Sequence, residues 1–235
     1  MLSLNKYFFE KTIIALYRCI IGVPLVLFAM YAYADKNSLN HITNDECIPY
    51  ELASYAFDYR IQHGHNAWLV KDIWRAHIHH ALQQMRTVYG RGKGGNASGN
   101  LDYALRRIPN DPRSLKAVID YSFLIKSKPQ HVPLIRAPEC YLKKAIRFAP
   151  DDPMPRFLYG YYLYKRKQYE GAIAWYERGL KIDPDSSEGH YNLGLTLFKM
   201  KRFTEAQEQA RIAYKLGYPL PWLRKKLSKL GYPIN

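Results

Sequence analysis

The chain has 235 residues, enough for one domain or for a small domain joined to a repeat array. A hydrophobic share of 48% with 23% charged residues excludes a disordered or fibrous chain and predicts a buried core. The formal charge of +15 directs surface-driven binding toward anionic partners, without choosing among acidic proteins, lipid headgroups, envelope polysaccharide and nucleic acid.

Residues 1–34 read as an export signal. Lys6, Lys11 and Arg18 precede an apolar run of 16 residues, Cys19 to Ala34, which ends in the small-x-small triplet Ala32-Tyr33-Ala34. Cleavage is expected before Asp35, with an uncleaved anchor as the alternative; the run falls short of the roughly 20 residues that a spanning helix needs. No cysteine follows the cleavage site, so a lipoprotein anchor is not expected. The expected location is periplasmic or secreted, an oxidising compartment in which paired cysteines bridge. Cys19 leaves with the signal, and a Cys47–Cys140 disulfide is predicted, with two separate buried thiols as the alternative. The bridge would close a loop of 94 residues, which on the chain-entropy account contributes up to about 4–5 kcal/mol.

Residues 35–100 carry no repeat. Asn66 reads as the N-cap of a helix running to Tyr89 and stopped by Gly90, with Val70, Trp74, Ile78, Leu82, Met85 and Tyr89 as its core stripe. His63, His65, His77, His79 and His80 lie close together. His77 and His80 share a helix face and could bind zinc or copper if His63 or His65 folded back. The reading adopted is a solvated helix side plus a satisfied loop histidine, since no H-E-x-x-H and no completing carboxylate is present. No metal and no cofactor are expected. Gly90-Arg-Gly-Lys-Gly-Gly95 satisfies G-x-G-x-x-G, but it follows a long helix rather than a strand. It reads as a flexible basic linker over Gly90–Asn100. Asn96-Ala97-Ser98 is a glycosylation sequon, meaningful only in a eukaryote.

Pro150 and Pro184, Gly160 and Gly194, Leu163 and Leu197, Tyr169 and Phe203, and Ala172 and Ala206 are each 34 residues apart. Small residues at fixed places let two antiparallel helices approach, and the prolines end each second helix. On these residues the chain resembles the tetratricopeptide repeat (TPR) family, with units at about 153–186 and 187–220. Ala104-Leu-Arg-Arg-Ile-Pro-Asn-Asp-Pro112 echoes Ala145-Ile-Arg-Phe-Ala-Pro-Asp-Asp-Pro153 at an offset of 41, so a degenerate unit lies upstream, with an insertion within Lys126–Pro138. Ile119 stands there in place of the glycine. Asp111-Pro112 and Asp152-Pro153 each predict an N-cap followed by proline at the first helical position. Asp58-Tyr59-Arg60, Leu101-Asp102-Tyr103-x-Leu105 and Pro109-Asn110 are similar to the leading part of a group of exported bacterial TPR proteins.

The resemblance implies that the first helix of each unit lines a concave face. Met154, Phe157, Tyr161, Tyr164 and Lys165 would contribute from one unit, and Glu188, Tyr191, Leu195, Phe198 and Lys199 from the next. Asn192 occupies the place from which an asparagine can hold an extended peptide. Burial of several of these aromatics is the alternative. The segment Leu220–Leu230 predicts a short amphipathic helix with Leu223, Leu227 and Leu230 on one side, capping the array. Membrane binding by this helix is set aside because it is short.

The expected architecture is an all-α TPR-type helix-turn-helix solenoid preceded by a helical N-terminal region. Its parts are a signal at 1–34, a helical region with a Gly-rich linker at 35–100, the array at 101–220 and a capping helix at 221–235. No nucleophile, base and orienter set is legible, so the expected role is not enzymatic but that of an adaptor or assembly factor. Its expected partner is a protein or peptide, acidic in character, rather than nucleic acid; membrane contact is expected only through an uncleaved N-terminal segment. The alternatives are a salt-sensitive binder of anionic envelope polymer and a histidine-cluster metal protein.

Overall fold

The computed structural model describes Cys47 and residues 56–61, 65–87, 89–92 and 95–234; the export signal, its cleavage site and His63 lie outside the described residues. Residues 1–48 and 49–235 form separate units, and apart from Cys47 everything below concerns the second. Cys47 and Cys140 are disulfide-bonded, as the cysteine count predicts.

Helix α1 (65–84) differs from its predicted form in one respect that moves its buried face. It is α-helical over His65–Ile73 and His79–Gln84, but Trp74–Ile78 between them is a π-helical turn. The extra residue shifts the phase of everything after it. Buried positions run Val70, Ile73, Ile78, Ala81 and Gln84, with a step of five across the π turn. Leu82 and Tyr89, which continue the stripe at regular α spacing, are exposed instead. The helix ends at Gln84 rather than Tyr89. Val70, Ile73 and Ile78 pack with Ala104 and Ile108 into a small core of their own.

Residues Gly90–Asn100 are not a linker. Strands β1 (Arg91–Gly92) and β2 (Gly95–Asn96) pair antiparallel, and helix α2 (Ala97–Arg107) begins at once. Asn96 Oδ1 accepts from Gly99 N–H at 2.8 Å, so the sequon asparagine is the N-cap. Ser98 is buried, and its hydroxyl accepts from Ile135 N–H at 3.0 Å. Gly90 holds φ +65°, and a Cβ there would sit 2.6 Å from the Tyr121 hydroxyl.

Three helix pairs follow: α3 (Pro112–Ser127) with α4 (Pro138–Phe148), α5 (Met154–Lys165) with α6 (Tyr169–Leu180), and α7 (Ser187–Lys199) with α8 (Phe203–Lys215). Helix α9 (Trp222–Lys229) closes the series. This is the expected all-α solenoid. The regular pairs are tight because of their glycines: a Cβ on Gly160 would lie 2.8 Å from the Tyr176 ring, and one on Gly194 would lie 3.3 Å from the Ala206 carbonyl oxygen. The α3–α4 pair, with Ile119 at the glycine position, is much more sparsely packed. The insertion falls between these two helices as foreseen, and it is pinned to α2: Arg136 pairs with Asp102, which also accepts from the Tyr141 hydroxyl at 2.8 Å. Leu223 and Leu227 of α9 are fully buried against the last pair, whereas Leu230, past the end of the helix, is half-exposed.

The turn inside each regular pair puts a lysine where glycine is favoured. Lys167 and Lys201, 34 positions apart, both have φ 62°. A β-carbon in the left-handed region costs about 1–2 kcal/mol, partly offset by the backbone entropy that glycine loses on folding. Lys167→Gly and Lys201→Gly should therefore each stabilise the fold by about 0.5–1 kcal/mol, seen as a rise in the denaturation midpoint. An unchanged or lower midpoint would contradict the strain.

A polar network joins the segment before α1 to the two proline-flanked turns. Asn110, fully buried, donates to Asp58 Oδ1 at 2.9 Å and to Asp152 Oδ2 at 2.8 Å. Arg60 bridges Asp58 at 2.6 Å and Asp151 at 3.0 Å. Asp111 accepts from Ser114 N–H at 2.8 Å, as an N-cap should, and from Trp74 Nε1–H at 3.1 Å. At the second turn the cap moves by one residue: Pro153 is the N-cap, and Asp152 Oδ1 accepts from Met154 N–H at 3.0 Å. The residues of the Asp58-Tyr59-Arg60 and Pro109-Asn110 motifs thus act as structural ties.

Candidate partner-binding face

The first helices of the three pairs, α3, α5 and α7, lie side by side, with α3 against α5 and α5 against α7. Position by position, the predicted set divides. Phe157 and Tyr191 are core residues, 6% and 4% exposed. The Phe157 ring is wedged between Gly179 and Gly189, where a Cβ on Gly189 would lie 2.8 Å from it. Tyr191 stacks on Tyr218, with ring centroids 3.9 Å apart. Met154 and Phe198 are half-buried, and Phe198 rests on Phe203 and Trp222 at 5.5 and 5.7 Å. Tyr164 is half-buried against Tyr169 at 5.8 Å.

Tyr161, Asn192 and Leu195 are also half-buried, whereas Lys165, Glu188 and Lys199 are exposed. Tyr161 donates to Asp120 Oδ1 at 3.1 Å, and the Lys116 ammonium, ion-paired to Asp120 at 2.6 Å, sits 5.5 Å from the Tyr161 ring. Burial and the Asp120 carboxylate push the Tyr161 phenol up to about 12, so its hydroxyl remains a donor at neutral pH. Two ammonium groups lie close to the Phe123 ring, Lys126 at 5.4 Å and Lys165 at 5.2 Å from its centroid. The resulting face has half-buried aromatic rings, and at Phe123 two lysines, Lys126 and Lys165, that form no ion pair among the described residues.

Phe123, Lys116 and Lys126 were absent from the predicted set. A signal for Lys116 and Phe123 is present in the sequence: the offset of 41 that relates the degenerate unit to the next aligns Lys116, Asp120 and Phe123 with Phe157, Tyr161 and Tyr164, whereas Lys126 aligns with Lys167 in the turn and carries no such signal.

Among the described side chains, His77, His79 and His80 do not converge on a common point. His77 Nδ1 bonds Asn100 Oδ1 at 2.9 Å, with its ring 4.1 Å from Tyr103. His80 Nδ1 lies 2.7 Å from the Ala76 carbonyl oxygen, and His79 pairs with Gln83 at 2.9 Å. Among the described residues no three His, Cys, Asp or Glu side chains are placed to hold a metal ion.

Residues 160–201, from the middle of α5 to the turn after α7, match the tetratricopeptide repeat family, described as "TPR repeat". That stretch is a TPR. A TPR is in general a protein-interaction module, so the chain carries one. No curated protein matches the chain. Among solved structures it is similar to a MamA RS-1 ArsTM double mutant, at 18% identity and a TM-score of 0.47, over 72% of this chain and 84% of that one.

Proposed function

We propose that the chain is an exported adaptor or assembly factor, not an enzyme, that holds an acidic, extended segment of a partner protein along α3, α5 and α7. Export is supported by the signal-like N-terminal sequence together with the disulfide. The observation that carries the binding site is the Phe123 ring with the Lys126 and Lys165 ammonium groups 5.4 and 5.2 Å from its centroid. A carboxylate seated there would meet two ammonium groups over an apolar ring, while Tyr161 adds aromatic area at little entropic cost. Asn192, one helix further on, would bond the backbone of that segment.

The test is capture from envelope extract at low and high salt, followed by titration of the captured protein's acidic segment. Lys126→Glu with Lys165→Glu is expected to weaken that segment about ten-fold or more while leaving the denaturation midpoint in place. Phe157 and Tyr191 are unsuitable probes because both are core. Unchanged affinity in the double variant would remove the site. Capture of polymer that fades steeply with salt and ignores the substitutions would favour the reading in which net charge alone drives binding.

A further inference from the structure

The geometry points to a second contact surface, which adjoins the α7 end of the partner face where Trp222 meets Phe198: the outer side of α9 docks on an anionic phospholipid bilayer. Helix α9 carries two stripes. Leu223 and Leu227 face inward and are fully buried. Trp222, Lys225, Lys226 and Lys229, at spacings i, i+3, i+4 and i+7, form the opposite one. All four are exposed, Trp222 by 42%, and the Lys226 ammonium sits 5.6 Å from the Trp222 ring. Leu216, Leu220 and Leu230 add exposed apolar area beside them.

The charge is one-sided. Between Gln209 and Asn235 there are six Lys or Arg and no Asp or Glu. Lys225, Lys226 and Lys229 form no ion pair among the described residues. A shallow depression of about 490 Å³ is lined by Trp222, Arg224, Lys225, Lys226, Ser228 and Lys229. Its side chains offer an indole N–H, a guanidinium, three ammonium groups and a hydroxyl, with no carboxylate or amide oxygen. Such a surface is chemically suited to phosphate-bearing headgroups.

Several features favour a bilayer over an acidic protein. Tryptophan beside lysines is the composition of the membrane interface, where the ring lies at headgroup level and long cationic stems reach to the phosphates. The helix is too short to fold alone, but here the array already holds it through Leu223 and Leu227. Binding therefore carries no cost of helix formation, and the objection that the segment is short does not apply to a docked helix.

The full chain should be co-sedimented with vesicles of phosphatidylcholine alone and with vesicles containing phosphatidylglycerol. Partitioning is expected to be at least ten-fold stronger on the anionic vesicles. Lys225→Glu/Lys226→Glu/Lys229→Glu should lose most of that preference, the corresponding triple arginine variant should keep it, and Trp222→Ala should weaken it several-fold. Far-UV circular dichroism establishes that the variants remain folded. Equal partitioning onto both vesicle types would overturn the proposal, as would a preference that survives the triple glutamate variant. Full competition by low-millimolar inorganic phosphate would overturn the bilayer and assign the site to free phosphate. The Lys126/Lys165 double glutamate variant should bind vesicles like the wild type, so failure at one surface is distinguishable from failure at the other.

Discussion

Phe157→Ala is expected to destabilise the protein by about 3–5 kcal/mol, the usual cost of emptying an aromatic site that cannot collapse. The ring fills the gap between Gly179 on α6 and Gly189 on α7, two positions with no side chain to move into the space left behind. Chemical denaturation measures the loss directly. Phe157→Leu, which keeps most of the volume, should cost clearly less, and Tyr161→Ala on the half-exposed face should cost about 1 kcal/mol. A loss under about 1 kcal/mol for Phe157→Ala would mean that the ring is not the wedge described. The result also guards against a misreading: any partner lost by this variant is lost through the fold.

Asn110→Ala is expected to cost about 2–4 kcal/mol near pH 7.5, because one buried amide supplies a donor to two carboxylates. The cost should depend on pH in a definite direction. Burial pushes the Asp152 carboxyl up, against the hydrogen bonds from Met154 N–H and Asn110. Burial likewise raises Asp111 against its bonds from Ser114. Their contribution to stability is full below the ordinary carboxylate value of 3.8 and is lost as pH rises through the raised values. Asp58 behaves oppositely: burial also pushes it up, but hydrogen bonds from Arg60 and Asn110 outweigh this and hold it below its ordinary value. Its contribution is present above that value and is lost as pH falls through the lowered one. Removing the Asn110 amide penalises the ionised form of both Asp58 and Asp152; by about pH 4 the Asp152 share should be lost while the Asp58 share remains, because Asp58 stays ionised until pH falls below its ordinary value, so the destabilisation should shrink in part. An equal penalty at the two pH values would show that the amide acts by packing alone.

What was legible in the chain was what repeats. Five residue pairs 34 apart located two helix pairs, and the same spacing relates the two left-handed lysines, whose shared φ only the structure reveals. Leu223 and Leu227 were legible as a cap because period and burial agree there. The π turn was not, since a single inserted residue in α1 leaves an apolar pattern that still reads at α spacing through Leu82 and Tyr89. The hairpin and N-cap within Gly90–Asn100 were hidden by glycine content that also suits a linker. The concave-face rule assigned Phe157 and Tyr191 outward, but Gly179 and Gly189 leave a gap that Phe157 fills, and Tyr218 covers Tyr191. The Arg60–Asp151 and Asn110 bonds join positions 42 to 91 apart, a range at which no local pattern carries information.

Those long-range bonds also order events in time. A stack of helix pairs assembles from neighbour contacts and can begin anywhere along its length. Arg60, however, cannot reach Asp151 until 91 more residues have been made, and closing so long a segment is slow compared with forming a helix pair. The segment carrying Asp58 and Arg60 is therefore the first of these elements to leave the ribosome and the last to lock into place. Until then Asn110 can already hold Asp152, but its second carboxylate, Asp58, is not yet in place and Asp151 lacks its guanidinium.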